Sequence, residues 1–75
     1  MFIQIGTDFI IDSNEISDIS LGKFAYSTEK PYFIRCTKKN GSIKEISYSD
    51  KKERYYDFVR VRNDLLKLKK DKENK

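Results

Sequence analysis

The chain lacks the residues on which most catalytic mechanisms at neutral pH depend. It contains no histidine, the usual general base and the commonest transition-metal ligand, so Ser-His and Cys-His nucleophile pairs are excluded. Its single cysteine, Cys36, stands in a strand-like alternation, where a buried side chain is a better interpretation than a nucleophile. One cysteine without histidine cannot form a zinc site. We therefore expect a protein that binds rather than catalyses, without a cofactor.

Neither a calcium-binding loop nor a glycine-rich nucleotide-binding motif is complete in the sequence. Asp12, Asn14 and Asp18 resemble the start of a calcium-binding loop, but Ser17 replaces its glycine and Lys23 its last glutamate. The three glycines are isolated, so neither a phosphate-binding loop nor a dinucleotide fingerprint is present. We expect no metal or nucleotide site; a pair of carboxylates from separate strands is the enzymatic arrangement that the sequence still permits.

The residues that could carry binding lie on a predicted C-terminal helix. At about 100° per residue, one flank combines basic, amide and tyrosine side chains. This basic ridge consists of Lys52, Tyr56, Arg60, Asn63, Lys67 and Lys70. Such a ridge can follow a phosphate backbone, with its tyrosine stacking on an unpaired base. The alternative is a solvated helix face.

The neighbouring flank of the same helix is acidic. It carries Glu53, Asp57, Asp64 and Asp71, a short arc away from the ridge. Carboxylates this close to phosphates would oppose DNA binding. Several tyrosines beside Arg and Lys are also typical of protein-interface anchors. A protein partner of mixed charge is therefore favoured, and nucleic acid is the alternative.

Arg62 falls in the middle of the apolar stripe of this helix, between Phe58 and Leu66. Burying a lone guanidinium is costly. Arg62 should therefore pair with a carboxylate such as Asp12 or Asp18, which we favour, or mark a part of the stripe that faces a partner. The spacing of the stripe also permits a weak homodimer through the helix.

Charge is divided unevenly along the chain. Residues 1–29 contain one lysine and five acidic residues, whereas residues 30–75 contain fifteen Lys or Arg and seven acidic residues, so the formal charges are −4 and +8. A basic half that faces nucleic acid is one interpretation. Acidic strands that pack beside a basic helix are the other.

Short strands must position these residues. Alternation in residues 2–5 and 9–12 predicts a tight hairpin, and residues 18–25 a third strand. A three-residue turn at Lys39-Asn40-Gly41 then gives a second hairpin in which apolar residues face one another. It pairs Ile34 with Ile46, Tyr32 with Tyr48 and Arg35 with Glu45, and turns Ile34, Cys36 and Ile46 inward.

A helix over residues 51–69 follows, opened by Asp50 and Glu53 at capping-box spacing. Its apolar stripe is Phe58, Val61, Leu65 and Leu68, joined by Tyr55, Val59 and Leu66. We expect an α+β fold in which an antiparallel four- to five-stranded β-meander packs against one C-terminal α-helix. Residues 1–68 form a single domain, and residues 69–75 a charged, frayed tail.

The composition bears on the compartment. The N-terminal apolar run is short and lacks a basic flank, which predicts neither a signal peptide nor a membrane segment. A single cysteine allows no internal disulfide. We therefore expect a cytoplasmic protein.

The order of Phe2-Ile3-Gln4-Ile5, Phe9-Ile10-Ile11-Asp12, the Asn40-Gly41 hairpin and a terminal helix resembles the short meander-plus-helix proteins encoded by phages and plasmids of Gram-positive bacteria. The resemblance covers most of the chain and consists of hydrophobic pattern and turns. It implies an accessory gene product; many such products, including anti-CRISPR inhibitors of defence nucleases, act by binding a host macromolecule. No functional residue carries over, because that group shares no active-site motif.

Overall fold

The computed structural model describes the backbone of residues 1–73 and the side chains of residues 1–68. Five antiparallel strands precede one helix, which confirms the predicted α+β fold with a C-terminal helix. The strands are β1 (Phe2–Ile5), β2 (Phe9–Asp12), β3 (Ile16–Lys23), β4 (Tyr32–Lys38) and β5 (Ile43–Tyr48), and the helix is α1 (Lys51–Glu73).

The meander is divided into two sheets, β1-β2 and β3-β4-β5. A 3-10 turn over Ser13–Glu15 separates them, and the Asp12 carboxylate caps it by accepting the Asn14 N–H at 3.0 Å. Strand β3 begins at Ile16, earlier than the predicted residue 18. Ile16 pairs with Lys38 of β4 and its side chain is buried, and a bulge between Ile16 and Asp18 separates this pair from the rest of the strand. It ends at Lys23 rather than at residue 25.

The predicted register of the β4–β5 hairpin is confirmed. Gly41 has φ +93° and donates its N–H to the Lys38 carbonyl at 3.0 Å, which closes the turn. Lys38 in turn donates to the Ser42 carbonyl at 2.8 Å. The pairs Tyr32 with Tyr48, Ile34 with Ile46, and Arg35 with Glu45 follow as predicted.

The core lies between the two sheets and the helix. Its buried side chains are Ile3, Ile5, Ile11, Ile16, Ile34, Cys36 and Val61. Phe33, on the opposite face of β4, is buried beneath the Phe24 ring, with ring centroids 4.6 Å apart. Gly22 permits this, because a Cβ there would lie 2.2 Å from the Phe33 Cζ atom.

The helix begins where the sequence predicts. The Asp50 carboxylate accepts the Lys52 N–H at 2.8 Å, and the Asp50 carbonyl accepts the Arg54 N–H at 3.2 Å. The helix continues to Glu73 rather than ending at residue 69, because lysine and glutamate favour helix and neither glycine nor proline intervenes. The helix therefore extends four residues beyond its predicted end near residue 69. The fraying of residues 69–75 stays a prediction, and residues 74–75 lie outside the described residues.

Only one side of the predicted apolar stripe is buried. Phe58, Val61, Leu65 and Leu68 are buried or half-buried, but Tyr55 and Leu66 are 55% and 56% exposed. A helix that packs on one layer buries a stripe about 100° wide, and the predicted stripe is wider than that. The buried arginine is Arg54, at 8% exposure, seven residues before Val61.

Candidate binding surfaces

The helix presents large apolar side chains on the side turned away from the sheets. Tyr55, Tyr56 and Leu66 are 55%, 69% and 56% exposed. The Tyr55 and Tyr56 rings meet edge-on, with centroids 6.1 Å apart. We call the exposed residues Lys52, Tyr55, Tyr56, Arg62, Asn63, Leu66 and Lys67 the outer helix face. Sequence reasoning assigned Tyr55 and Leu66 to the core and so missed them as surface residues.

Most of the predicted basic ridge lies on this face. The structure places Lys52, Tyr56, Asn63 and Lys67 on the exposed side. Arg60 is exposed but paired with Asp57, and the Lys70 side chain lies outside the described residues.

Arg62 also belongs to the outer helix face. It is exposed, and none of the ion pairs among the described residues includes it. Asp12, one predicted partner, caps the 3-10 turn and lies 3.9 Å from the Met1 amine, and Asp18, the other, is exposed. The expected internal pair was wrong because Arg62 points to solvent.

Asp57 turns into the fold and joins three elements. Its carboxylate accepts the Gly6 N–H at 2.7 Å and the Tyr48 hydroxyl on the same oxygen. Its other oxygen accepts Nε of Arg60 at 3.1 Å. Burial raises the pKa of Asp57, but the hydrogen bonds from Tyr48, Gly6 and Arg60 outweigh it and hold the pKa below its ordinary value. The same burial, with the bond and charge of Asp57, raises the pKa of Tyr48.

Arg60 is a structural cation rather than a free one. Besides Asp57, its guanidinium donates to the Gln4 carbonyl of β1. Asp57 balances its charge, so Arg60 contributes little to the basic character of the helix surface. One cation of the predicted ridge is therefore paired within the fold, although its side chain is 46% exposed.

The acidic flank is less exposed than the sequence indicates. Asp57 is hydrogen-bonded within the fold, Asp64 is half-buried, and Glu53 is exposed. The Asp71 side chain lies outside the described residues. The part of the outer helix face that the structure describes thus carries Lys52, Arg62 and Lys67, with Glu53 as an acidic neighbour.

Among the side chains of residues 1–68, no ion pair joins the acidic half of the chain to the basic half. Within the described side chains, the ion pairs join the Met1 amine to Asp12, Arg35 to Glu45, and Arg60 to Asp57. Each pair joins two groups of the same half, 1–29 or 30–75. The described contacts therefore do not support acidic strands that bind the basic helix through ion pairs.

Arg54 holds the start of the helix against the three-stranded sheet. Its Nη1 donates to the Gly22 carbonyl, and its guanidinium lies 5.2 Å from the centroid of the Tyr32 ring. Its buried Nε has no partner among the described residues. The heptad spacing from Val61 is the sequence signal that could have placed Arg54 on the buried side.

A cleft of about 820 Å³ opens between β5, the β1–β2 turn and the first turns of α1. Phe9 and Tyr56 line it, and Tyr48 and Asp57 also face it. The Lys44 amine lies 5.9 Å from the centroid of the Phe9 ring. Sequence reasoning missed this cleft because it arises where three elements meet that are distant in the chain.

The part of the chain that the structure describes contains neither a metal-binding cluster nor an exposed thiol. No group of three or more His, Cys, Asp or Glu residues there could hold a metal ion. Cys36 is buried as predicted, and burial raises the pKa of its thiol. No helix among the described residues is long and apolar enough to cross a membrane.

Comparison with protein-family models, with curated proteins and with solved structures found no match to this chain. The resemblance to phage- and plasmid-encoded proteins therefore stays a prediction.

Proposed function

We propose that this protein is a non-enzymatic binding protein that docks on an acidic surface of another protein through the outer helix face. One observation carries the proposal: Tyr55, Tyr56 and Leu66 are each more than half exposed on the outward side of a helix whose opposite side packs on the sheets. Large apolar side chains exposed on one side of an element are typical of interaction sites. Tyrosine is also among the residues that contribute most to protein interfaces.

The charges around these side chains support an acidic partner. Arg62 is seven residues from Tyr55 and four from Leu66, so the three share one side of the helix. Lys52 and Lys67 flank them. Cations at the edge of an apolar patch steer association with a negatively charged partner and disfavour wrong ones.

The resemblance of the sequence supports a host protein as the partner. We propose an accessory product of a phage or another mobile element that acts in the host cytoplasm. Inhibition of a defence nuclease, by covering part of its surface, is the corresponding activity. This step rests on the resemblance, whereas the docking surface rests on the exposed side chains.

Affinity capture tests the docking surface. The immobilised protein is incubated with nuclease-treated lysate of a Gram-positive bacterium, beside the double variant Tyr55→Ala/Leu66→Ala. The matched control is Ile10→Ala, because Ile10 is 62% exposed but lies on β2. We expect a bound protein that the double variant loses and the control keeps. Retention by the double variant would contradict docking through the helix.

Nucleic-acid binding is the second candidate, and the exposed position of Arg62 favours it. Arg62 adds a cation to Lys52 and Lys67 on the outer helix face, whereas Arg60 and Asp57 neutralise each other. Binding to phosphates would weaken steeply with salt. Titration of fluorescent single- and double-stranded oligonucleotides at low and high salt distinguishes the two candidates. The variant is Arg62→Glu/Lys67→Glu. Tight, salt-sensitive binding lost in the variant would replace the protein partner with nucleic acid.

A further inference from the structure

Strand β5 is an edge strand, and its unpaired backbone groups can be identified. It pairs with β4 on one side, and no other strand lies beside it in the described part of the chain. The Lys38 N–H donates to Ser42, so this pair is hydrogen-bonded. In an antiparallel ladder hydrogen-bonded pairs alternate with non-bonded ones. Lys44, Ile46 and Tyr48 therefore turn their backbone groups toward β4.

A second hydrogen bond, between β4 and β3, shows independently which residues of β4 turn their backbone groups toward β5. Phe24 donates its N–H to the Pro31 carbonyl at 2.8 Å. Hydrogen-bonded and non-bonded pairs alternate from there, so the backbone groups of Phe33 and Arg35 face β3. The backbone groups of Tyr32 and Ile34 then face β5, in agreement with the hydrogen bond between Lys38 and Ser42. The backbone N–H and C=O groups of Ile43, Glu45 and Ser47 consequently point away from the sheet.

This edge has few of the devices that prevent another strand from pairing: Lys44 supplies one charge on the inward face of β5, where its amine lies 5.9 Å from the centroid of the Phe9 ring. β5 contains neither proline nor a register shift, whereas the opposite edge, β3, has a bulge between Ile16 and Asp18. The charge of Glu45 is engaged by Arg35, with the guanidinium 2.8 Å from the carboxylate. The backbone of β5 is therefore open to an added strand.

The cleft runs along this same edge. Lys44 through Ser49 form one wall, and Phe9 of the hairpin and Tyr56 of α1 line the other side. A groove between an edge strand and a helix is the geometry that accepts an extended peptide by strand addition. Its volume of about 820 Å³ lies in the range of ligand clefts.

We propose that β5 binds an extended peptide segment of a partner protein as an added strand, through the outward backbone groups of Glu45 and Ser47. Alternate side chains of that segment enter the cleft beside Phe9, Ile46 and Tyr56, so apolar residues at every second position are preferred. The site is separate from the outer helix face except for Tyr56, which borders both. The proposal therefore stands or falls independently of docking through the helix.

A second copy of the chain fits this edge less well. A two-fold dimer through β5 would place a whole second sheet, with its own β1–β2 turn, beside this edge. The cleft there is already bordered by the turn residues Gly6 to Phe9. A single strand without such a turn meets no such obstacle.

The test starts from a random nine-residue peptide library displayed on phage and selected on the full chain. The enriched peptides are synthesised with a fluorophore, and binding is measured by anisotropy. Ser47→Pro removes the outward N–H donor, and edge strands tolerate proline at such positions. The matched control is Lys23→Pro, at the opposite edge, whose N–H also points away from β4.

We expect enriched peptides with alternating apolar residues. Ser47→Pro should weaken binding at least tenfold, and Lys23→Pro and Tyr55→Ala/Leu66→Ala should bind as the wild type does. If Ser47→Pro fails to fold, N-methylation of alternate peptide amides gives the same test from the ligand side, with protection of the Glu45 and Ser47 amides from hydrogen exchange as a second readout.

Three results would overturn the proposal. The first is the absence of any enriched peptide. The second is affinity that neither Ser47→Pro nor N-methylation changes more than twofold. The third is a concentration-dependent dimer that Ser47→Pro abolishes, which would assign the edge to a second copy of the chain.

Discussion

The Gly6 amide donates a hydrogen bond of 2.7 Å to the Asp57 carboxylate, which joins the β1–β2 turn to the helix across 51 residues of sequence. Tyr48 at the end of β5 donates to the same carboxylate oxygen. One acidic side chain thereby links both sheets to the helix. The same contact turns a negative charge away from the outer helix face and shapes the cleft beside β5.

Acid should weaken the fold through Asp57. Its pKa in the folded state lies below the ordinary value of 3.8, so its stabilisation is complete above that value and is lost as pH falls through the folded pKa. Asp57→Asn should lower the free energy of unfolding at pH 7 by about 1.5–3 kcal/mol and flatten its decline below pH of about 4. Urea unfolding at several pH values measures this. The exposed Asp8→Asn is the control, and an equal loss of acid sensitivity there would contradict the role of Asp57.

Alkali should weaken the fold through Tyr48. Its folded pKa lies above the ordinary value of 10.0, so its stabilisation is complete below that value and is lost as pH rises toward the folded pKa. Tyr48→Phe should cost about 1 kcal/mol at pH 7, because Asp57 loses a donor, and should reduce the decline in stability above pH 10. Unfolding at pH 7 and above pH 10 checks this, with Tyr26→Phe as the control at a tyrosine 65% exposed. The same decline in Tyr48→Phe as in the wild type would refute the assignment.

The two arginines of the helix stripe should differ sharply in their effect on stability. Arg54→Ala removes a charge-assisted hydrogen bond and buried packing, so it should cost about 2–3 kcal/mol. Arg62→Ala changes an exposed side chain and should stay within about 0.5 kcal/mol. Denaturant midpoints of the two variants provide the comparison. A cost for Arg62→Ala as large as for Arg54→Ala would restore the internal ion pair that the sequence suggested.

Gly22→Ala tests the aromatic cover on the outer face of the sheet. The new Cβ would lie 2.2 Å from the Phe33 Cζ atom, and the Phe24 ring limits how far Phe33 can retreat. We expect a loss of about 1–3 kcal/mol, seen as a fall in melting temperature of about 4–8 °C per kcal/mol. Ser20→Ala, two residues earlier on β3, is the control and should change little. Unchanged stability in Gly22→Ala would mean that Phe33 moves freely.

The two hairpins were predictable because their signals are local. Alternation of side chains and the Gly41 turn determine the pairing of Ile34 with Ile46 without reference to the rest of the fold. The width of the buried helix stripe is not local, because it depends on how many layers the helix contacts. For that reason the sequence placed Tyr55 and Leu66 in the core and assigned the buried arginine to Arg62 instead of Arg54.

The candidate sites also divide into features set by local sequence and features set by contacts between distant residues. The periodicity of the helix identified most of the outer helix face, including Lys52, Tyr56 and Lys67. The engagement of Arg60 by Asp57 and the cleft beside β5 both need the turn at Gly6, which is far away in sequence. No spacing rule on a single element can reveal contacts of that kind.

Photo-crosslinking in bacterial cells tests the proposed docking surface most directly. A photoreactive phenylalanine analogue is placed at Tyr56, which is 69% exposed on the outer helix face, and at Ile10, 62% exposed on β2, as the control. We predict that irradiation links position 56, and not position 10, to one host protein, and that Tyr55→Ala/Leu66→Ala abolishes the product. Crosslinks to nucleic acid, or equal crosslinking from both positions, would contradict docking on a host protein through the helix.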